Sequence, residues 1–126
     1  MTTAAQVGIT GIDASYYLTK DLASATKFYS ALFGFEPSMA VPETVSEWTF
    51  GRDDTTFGLY QPGDKNDWHP SGGILFNVDD IKRAVEAAKT LGAKFDDHVE
   101  DTPMCHMAFG QDPEGNNFIL HQHKAG

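Results

Sequence analysis

Cysteine is nearly absent. Cys105 is the one thiol in 126 residues, so no disulfide can close within the chain, and the composition suits a reducing compartment. Its place in an apolar, strand-like run predicts a buried structural role rather than a nucleophile. Basic residues are also scarce: 9 Lys and Arg stand against 18 Asp and Glu, for a formal net charge of -9. Such a charge repels phosphate backbones and anionic lipid, so no nucleic-acid partner is expected. No apolar run approaches the roughly 20 residues of a membrane span. The opening MTTAAQVGIT lacks the charged, apolar and small-residue order of a secretory signal, so no membrane partner and a cytoplasmic location are expected. A serine-histidine-acid order, a phosphate loop and a dinucleotide fingerprint are missing too, which leaves hydrolase, nucleotide-binding and hydride-transfer functions unsupported.

What the chain does have is a supply of apolar residues, 40% hydrophobic and 12% aromatic, sufficient for the core of one domain over residues 1–126. It also repeats itself. Thr49-Phe50-Gly51-Arg52-Asp53 returns 59 positions later as Ala108-Phe109-Gly110-Gln111-Asp112. Upstream, Asp21-Leu22 matches Asp80-Ile81, and Gly34 matches Gly92. Downstream, Phe57-Gly58-Leu59-Tyr60-Gln61 matches Phe118-Ile119-Leu120-His121-Gln122. Each copy begins with an alternating run (Ala14 to Thr19, Gly73 to Val78) that predicts a strand. An amphipathic helix follows, opened by an acidic residue that suits the helix dipole. Asp79 and Asp80 are accordingly expected to start a helix rather than to catalyse. Short strands come next, the last two joined at Asp53-Asp54-Thr55-Thr56 and at Asp112-Pro113-Glu114-Gly115. The reading is an α+β domain with βαβββ modules at 7–61 and 73–123, joined by a turn-rich linker at 62–72.

The order Asp21-Leu22, Phe28-Tyr29, Leu32-Phe33-Gly34-Phe35, then Val78-Asp79-Asp80 and Asp112-Pro113-Glu114-Gly115-Asn116 resembles the vicinal oxygen chelate superfamily, which includes glyoxalase I, bleomycin-binding resistance proteins and extradiol dioxygenases. The resemblance covers nearly the whole chain. It implies two curved mixed sheets with helices on their convex sides, and it implies a homodimer. It also implies one divalent metal held by His, Gln or Glu from the first and last strands of the modules. Carried over residue by residue, those positions are Ala14, Gly58, Gly73 and Ile119, and none offers a lone pair to a metal. No metal and no other cofactor is therefore expected.

Strand alternation then sorts the side chains. Pairing Phe109 with Phe118 and His106 with His121 about the Asp112-to-Gly115 turn puts Cys105, Met107, Phe109, Phe118 and Leu120 under the helices. Met104, His106, Ala108, Ile119 and His121 then line the concave face. The first copy contributes Tyr16, Glu47, Thr49, Gly58 and Tyr60, and the leading strand of the second contributes Gly73, Leu75 and Asn77. Gly58 and Gly73 are expected to leave clearance, and Trp68 of the linker to cover the pocket. Together these residues predict a cavity for a small aromatic or amphipathic molecule, bound without metal as by the drug-sequestering members. One alternative is a metal-free, glyoxalase-like isomerase or lyase using His106, His121, Glu47 or Tyr60 for proton transfer. In another form, the enzyme is a lyase or dioxygenase with a displaced metal site on His121 and His123, joined by His106 or Glu47. A further alternative is an accessory domain that binds a protein partner.

Overall fold

The computed structural model describes residues 7, 8, 10 and 12–124. The first six residues, with Ile9 and Gly11, fall outside the described residues, although the signal and first-module readings touch them. Ten elements follow in the expected order. The first module comprises β1 (Ser15–Leu18), α1 (Leu22–Phe33), β2 (Met39–Val41), β3 (Val45–Thr49) and β4 (Thr56–Tyr60). The second comprises β5 (Ile74–Asn77), α2 (Ile81–Thr90), β6 (Lys94–Asp101), β7 (Cys105–Gln111) and β8 (Asn117–His123).

Both helices are bounded by local chemistry. Asp21 and Asp80 sit in extended backbone, and their carboxylates accept from the amides of Ser24 and Arg83, satisfying donors that a helix start leaves free. The first helix stops at Gly34, whose φ of 85° closes the turn on Ser30 O.

Each module forms one mixed four-stranded sheet, ordered β1-β4-β3-β2 and β5-β8-β7-β6. The β1–β4 and β5–β8 pairs are parallel and the other pairs antiparallel. The helix-facing sides of both sheets feed one buried cluster that includes Tyr17, Trp48, Phe57, Leu59, Phe118 and Leu120. Phe76 of β5 joins the modules, its ring 5.2 Å from that of Phe33 and 5.6 Å from that of Phe57, both edge-on. Polar bonds reinforce this junction. Tyr29 donates to Asp112 Oδ2 at 2.7 Å, Tyr17 donates to Asn117 O at 2.5 Å, and Glu114 accepts from Thr19 Oγ1 and, at 2.8 Å, from Lys20 N. With both helix sides spent on one core, each sheet keeps its other face open.

The linker is more ordered than its turn-rich composition predicts. Asp64 caps a short 3-10 turn at Lys65–Asp67. Trp68 Nε1 donates to Leu18 O at 3.2 Å, and Ser71 Oγ accepts from Leu18 N at 3.0 Å. The segment thus occupies backbone groups on the free edge of β1, which would otherwise invite another strand.

The β7–β8 register differs from expectation by one residue. Phe109 faces Ile119, not Phe118; Ala108 faces Leu120, Met107 faces His121 and His106 faces Gln122. The cause is Asn116. Its side chain turns inward to donate to Leu18 O at 3.1 Å and Asp112 Oδ2 at 3.0 Å, and to accept from Ser71 N at 2.7 Å. That draws Asn116 into the turn, which becomes a five-residue loop over 112–116 with Gly115 at φ 97°. A one-residue slip moves a whole strand's side chains to the other face. His106 and Ala108 therefore lie on the helix side, while Met107 and Phe109 lie on the open side. Ala108 is 2% exposed and Phe109 40%.

Candidate functional site

On the first sheet, the cross-strand registers align side chains in rows on the open face. One row runs Met39, Glu47, Gly58, Tyr16; the next runs Val41, Val45, Tyr60, Leu18. Thr49 and Thr56 follow, their hydroxyls 2.9 Å apart. Trp48, Phe57 and Leu59 alternate with these and are buried under α1. Four expected site residues, Tyr16, Glu47, Thr49 and Tyr60, thus share one surface with Gly58. The clearance at Gly58, however, is already taken. A Cβ there would stand 2.8 Å from Tyr16 Cζ and 2.9 Å from both Cε atoms, so the far end of the tyrosine ring lies across the glycine toward β3. Glycine is needed at 58 for Tyr16, rather than directly for a ligand.

The second sheet's open face carries Leu75 and Asn77 of β5 beside Ile119 and His121 of β8, with Phe109 and Met107 beyond them. Asn77 and His121 are direct cross-strand partners. The His121 ring meets that of His123 edge-on at 4.6 Å. Gly73 is open to solvent, with nothing within 4 Å of a built Cβ, and it has a φ of 98° that only glycine adopts readily.

Three expected site residues lie elsewhere. His106 is on the helix side of β7, its Nδ1 3.5 Å from Asp101 Oδ1, an oxygen that also accepts from Lys124 Nζ at 2.5 Å. The Lys124 bond and charge, with His106 nearby, hold the Asp101 carboxyl below the usual range. Met104 is in the bend between β6 and β7 rather than in a strand, and is 79% exposed. Trp68 stands at the β1 edge, with Lys20 Nζ 4.1 Å above its ring. The histidine candidates for proton transfer are therefore split between opposite faces of one sheet, and Glu47 and Tyr60 sit on the other sheet. Sequence reading did not place Met39 and Val41. Their signal was the alternation in Met39-Ala40-Val41, too short to orient without its partner strand.

The family's metal does not fit this residue set. Tyr16 covers the Gly58 position, and Ala14, Gly73 and Ile119 supply no donor atoms. Among the described residues no group of three or more His, Cys, Asp or Glu is placed to hold a metal ion, and no third donor joins His121 and His123. A separate cleft of about 560 Å³ opens between the modules on their helix sides, against Phe33, Phe50, Phe57, Phe76 and Ala88. Of the expected site residues, Leu75 and Asn77 border it. No helix among the described residues is long and apolar enough to cross a membrane.

Residues 11–120 match the family model described as Glyoxalase/Bleomycin resistance protein/Dioxygenase superfamily. Solved structures share the fold at low identity. A member of that superfamily from Sphaerobacter thermophilus DSM 20745 is 22% identical, with a TM-score of 0.74 over 90% of this chain and 98% of the other. TnmS3 from Streptomyces sp. CB03234, described as an antibiotic binding protein, is 23% identical, with a TM-score of 0.73 over 94% and 100%. A family enzyme from Burkholderia phytofirmans PsJN is 20% identical, with a TM-score of 0.72 over 87% and 96%.

Proposed function

The chain belongs to the glyoxalase/bleomycin resistance protein/dioxygenase superfamily, and we propose that it binds a small aromatic or amphipathic organic molecule on its open sheet faces, without a metal. The observation that carries this reading is where the exposed large apolar side chains of the strands lie. Tyr16, Met39, Val41 and Tyr60 on the first sheet, and Leu75 and Phe109 on the second, are each at least 40% exposed and all stand on the open faces. Large apolar groups gathered on an exposed face mark an interaction site. Glu47, Thr49, Asn77 and His121 supply the few polar groups such a site uses for orientation. The similarity to an antibiotic binding protein supports small-molecule binding.

The two open faces belong to separate sheets, so a homodimer completes the site in this reading. Setting the first sheet of one copy against the second sheet of its partner would cover both apolar faces and enclose a ligand between them.

Titration of ¹⁵N-labelled protein with 4-tert-butylphenol tests the site. Amide shifts are expected around Tyr16, Gly58, Tyr60, Leu75 and Ile119. Shifts confined to Leu32, Ala84 and Ala88 would move binding to the inter-module cleft, and no shifts at millimolar ligand would defeat the proposal.

A further inference from the structure

Resting on the binding reading above, we propose that the row Tyr16–Gly58–Glu47–Met39 is a subsite for the positively charged end of an organic cation, a substituted ammonium carried on an aromatic or aliphatic body. The composition of the first sheet is the starting point. Its four strands, Ser-Tyr-Tyr-Leu, Met-Ala-Val, Val-Ser-Glu-Trp-Thr and Thr-Phe-Gly-Leu-Tyr, contain one acidic residue and no lysine, arginine or histidine. That acid, Glu47, stands on the open face between Met39 and Gly58. It is half-buried, and among the described residues its carboxylate makes no salt bridge. A carboxylate without a cationic partner on an otherwise apolar face attracts positive charge.

The neighbouring groups suit the same ligand. The Tyr16 ring crosses Gly58 and extends toward the strand that carries Glu47, which brings an aromatic group beside the acid. Tyr60 stands in the adjacent row. An ammonium attracted to the carboxylate would thus meet the electron-rich face of a phenol ring and the polarisable sulfur of Met39. Aliphatic Val41, Val45 and Leu18 would receive the uncharged remainder. The net charge of -9 adds a field that draws cations toward the chain and repels anions. An anionic ligand would face an uncompensated Glu47 with no basic side chain on any strand of the sheet.

The experiment compares probes of equal shape. (4-Hydroxyphenyl)trimethylammonium and 4-tert-butylphenol differ in one atom and one charge, and 4-hydroxybenzenesulfonate supplies an anion of similar outline. Calorimetric or NMR titration of the full chain should show the cation binding about tenfold tighter than its neutral isostere, with the anion weakest. Salt should weaken the cation alone. E47Q should bring the cation-to-neutral ratio close to one, because the coulombic attraction to the carboxylate is lost. Tyr16→Leu should cost the cation more than the neutral probe, which provides a second variant should E47Q fold poorly. Equal or tighter binding of 4-tert-butylphenol by the unmodified chain overturns the cation subsite while leaving the binding face intact, as does a ratio that E47Q and Tyr16→Leu both leave unchanged. If neither probe perturbs the open faces, this inference and the binding reading fall together.

Discussion

Tyr16 and Gly58 are direct partners across β1 and β4, and the tyrosine ring occupies the space that any side chain at 58 would need. The pair sets the relief of the first open face.

Gly58→Ala should therefore push Tyr16 off its seat, at a cost below about 1 kcal/mol because the displaced atoms are the outer end of a half-exposed ring. In Tyr16→Ala the same glycine change should be nearly silent, because its clash partner is gone. Thermal or urea denaturation of the four proteins closes the cycle. Additive effects would mean that the ring is not held over the glycine.

The β7–β8 register makes opposite demands of adjacent residues. Ala108 is buried beneath the helices and Phe109 is on the open face. Ala108→Leu should cost stability by about 1–3 kcal/mol. Phe109→Ser should change stability little but weaken binding of 4-tert-butylphenol. The reverse pattern would restore the pairing of Phe109 with Phe118.

Tyr29 ties α1 to the β7–β8 turn through Asp112. Burial, then the charge of Asp112 and its hydrogen bond with Tyr29, pushes the Tyr29 hydroxyl far above its ordinary pKa, and burial also raises that of Tyr17. The folded chain thus holds these protons more tightly than the unfolded chain, whose tyrosines ionise near pH 10. Their contribution is complete below about pH 10 and is lost as pH rises further. Urea denaturation from pH 8 to 11 should show this loss, and Tyr29→Phe should flatten it. At neutral pH the same variant should cost about 1–3 kcal/mol, since Asp112 loses a buried donor. An alkaline slope identical in the two proteins would assign the loss to other groups.

Assembly is tested by charge. Sedimentation at micromolar concentration should show two chains, and Val41→Lys or Leu75→Lys should shift the protein toward one chain by placing an ammonium in the covered face. A strict monomer that still binds 4-tert-butylphenol would confine the site to a single sheet face.

Metal content follows from the donor set. Elemental analysis of tag-free protein should find well below one transition metal per chain, and chelator should leave the melting temperature unchanged. Stoichiometric zinc that His123→Ala abolishes would instead point to the His121 and His123 pair.

The sequence by itself determined the order of elements, the two helix starts at Asp21 and Asp80, and the face assignment across β3 and β4, because each rests on local periodicity and short-range capping. Glu47 and Tyr60 could be placed together from alternation alone, since the turn between their strands preserves the parity that was read. The β7–β8 register could not be. It turns on Asn116, whose side chain is drawn from the strand by Leu18 and Ser71, residues brought to it by the packing of one module on the other. Nothing adjacent to Asn116 in the chain reveals those partners. The same holds for Gly58, which as a sequence letter signals empty space but in the fold is the seat of a ring from a strand more than forty residues earlier. Local chemistry wrote the strands and helices; the tertiary structure decided which faces His106 and Phe109 occupy and what fills the glycine, because those depend on groups that only folding brings together.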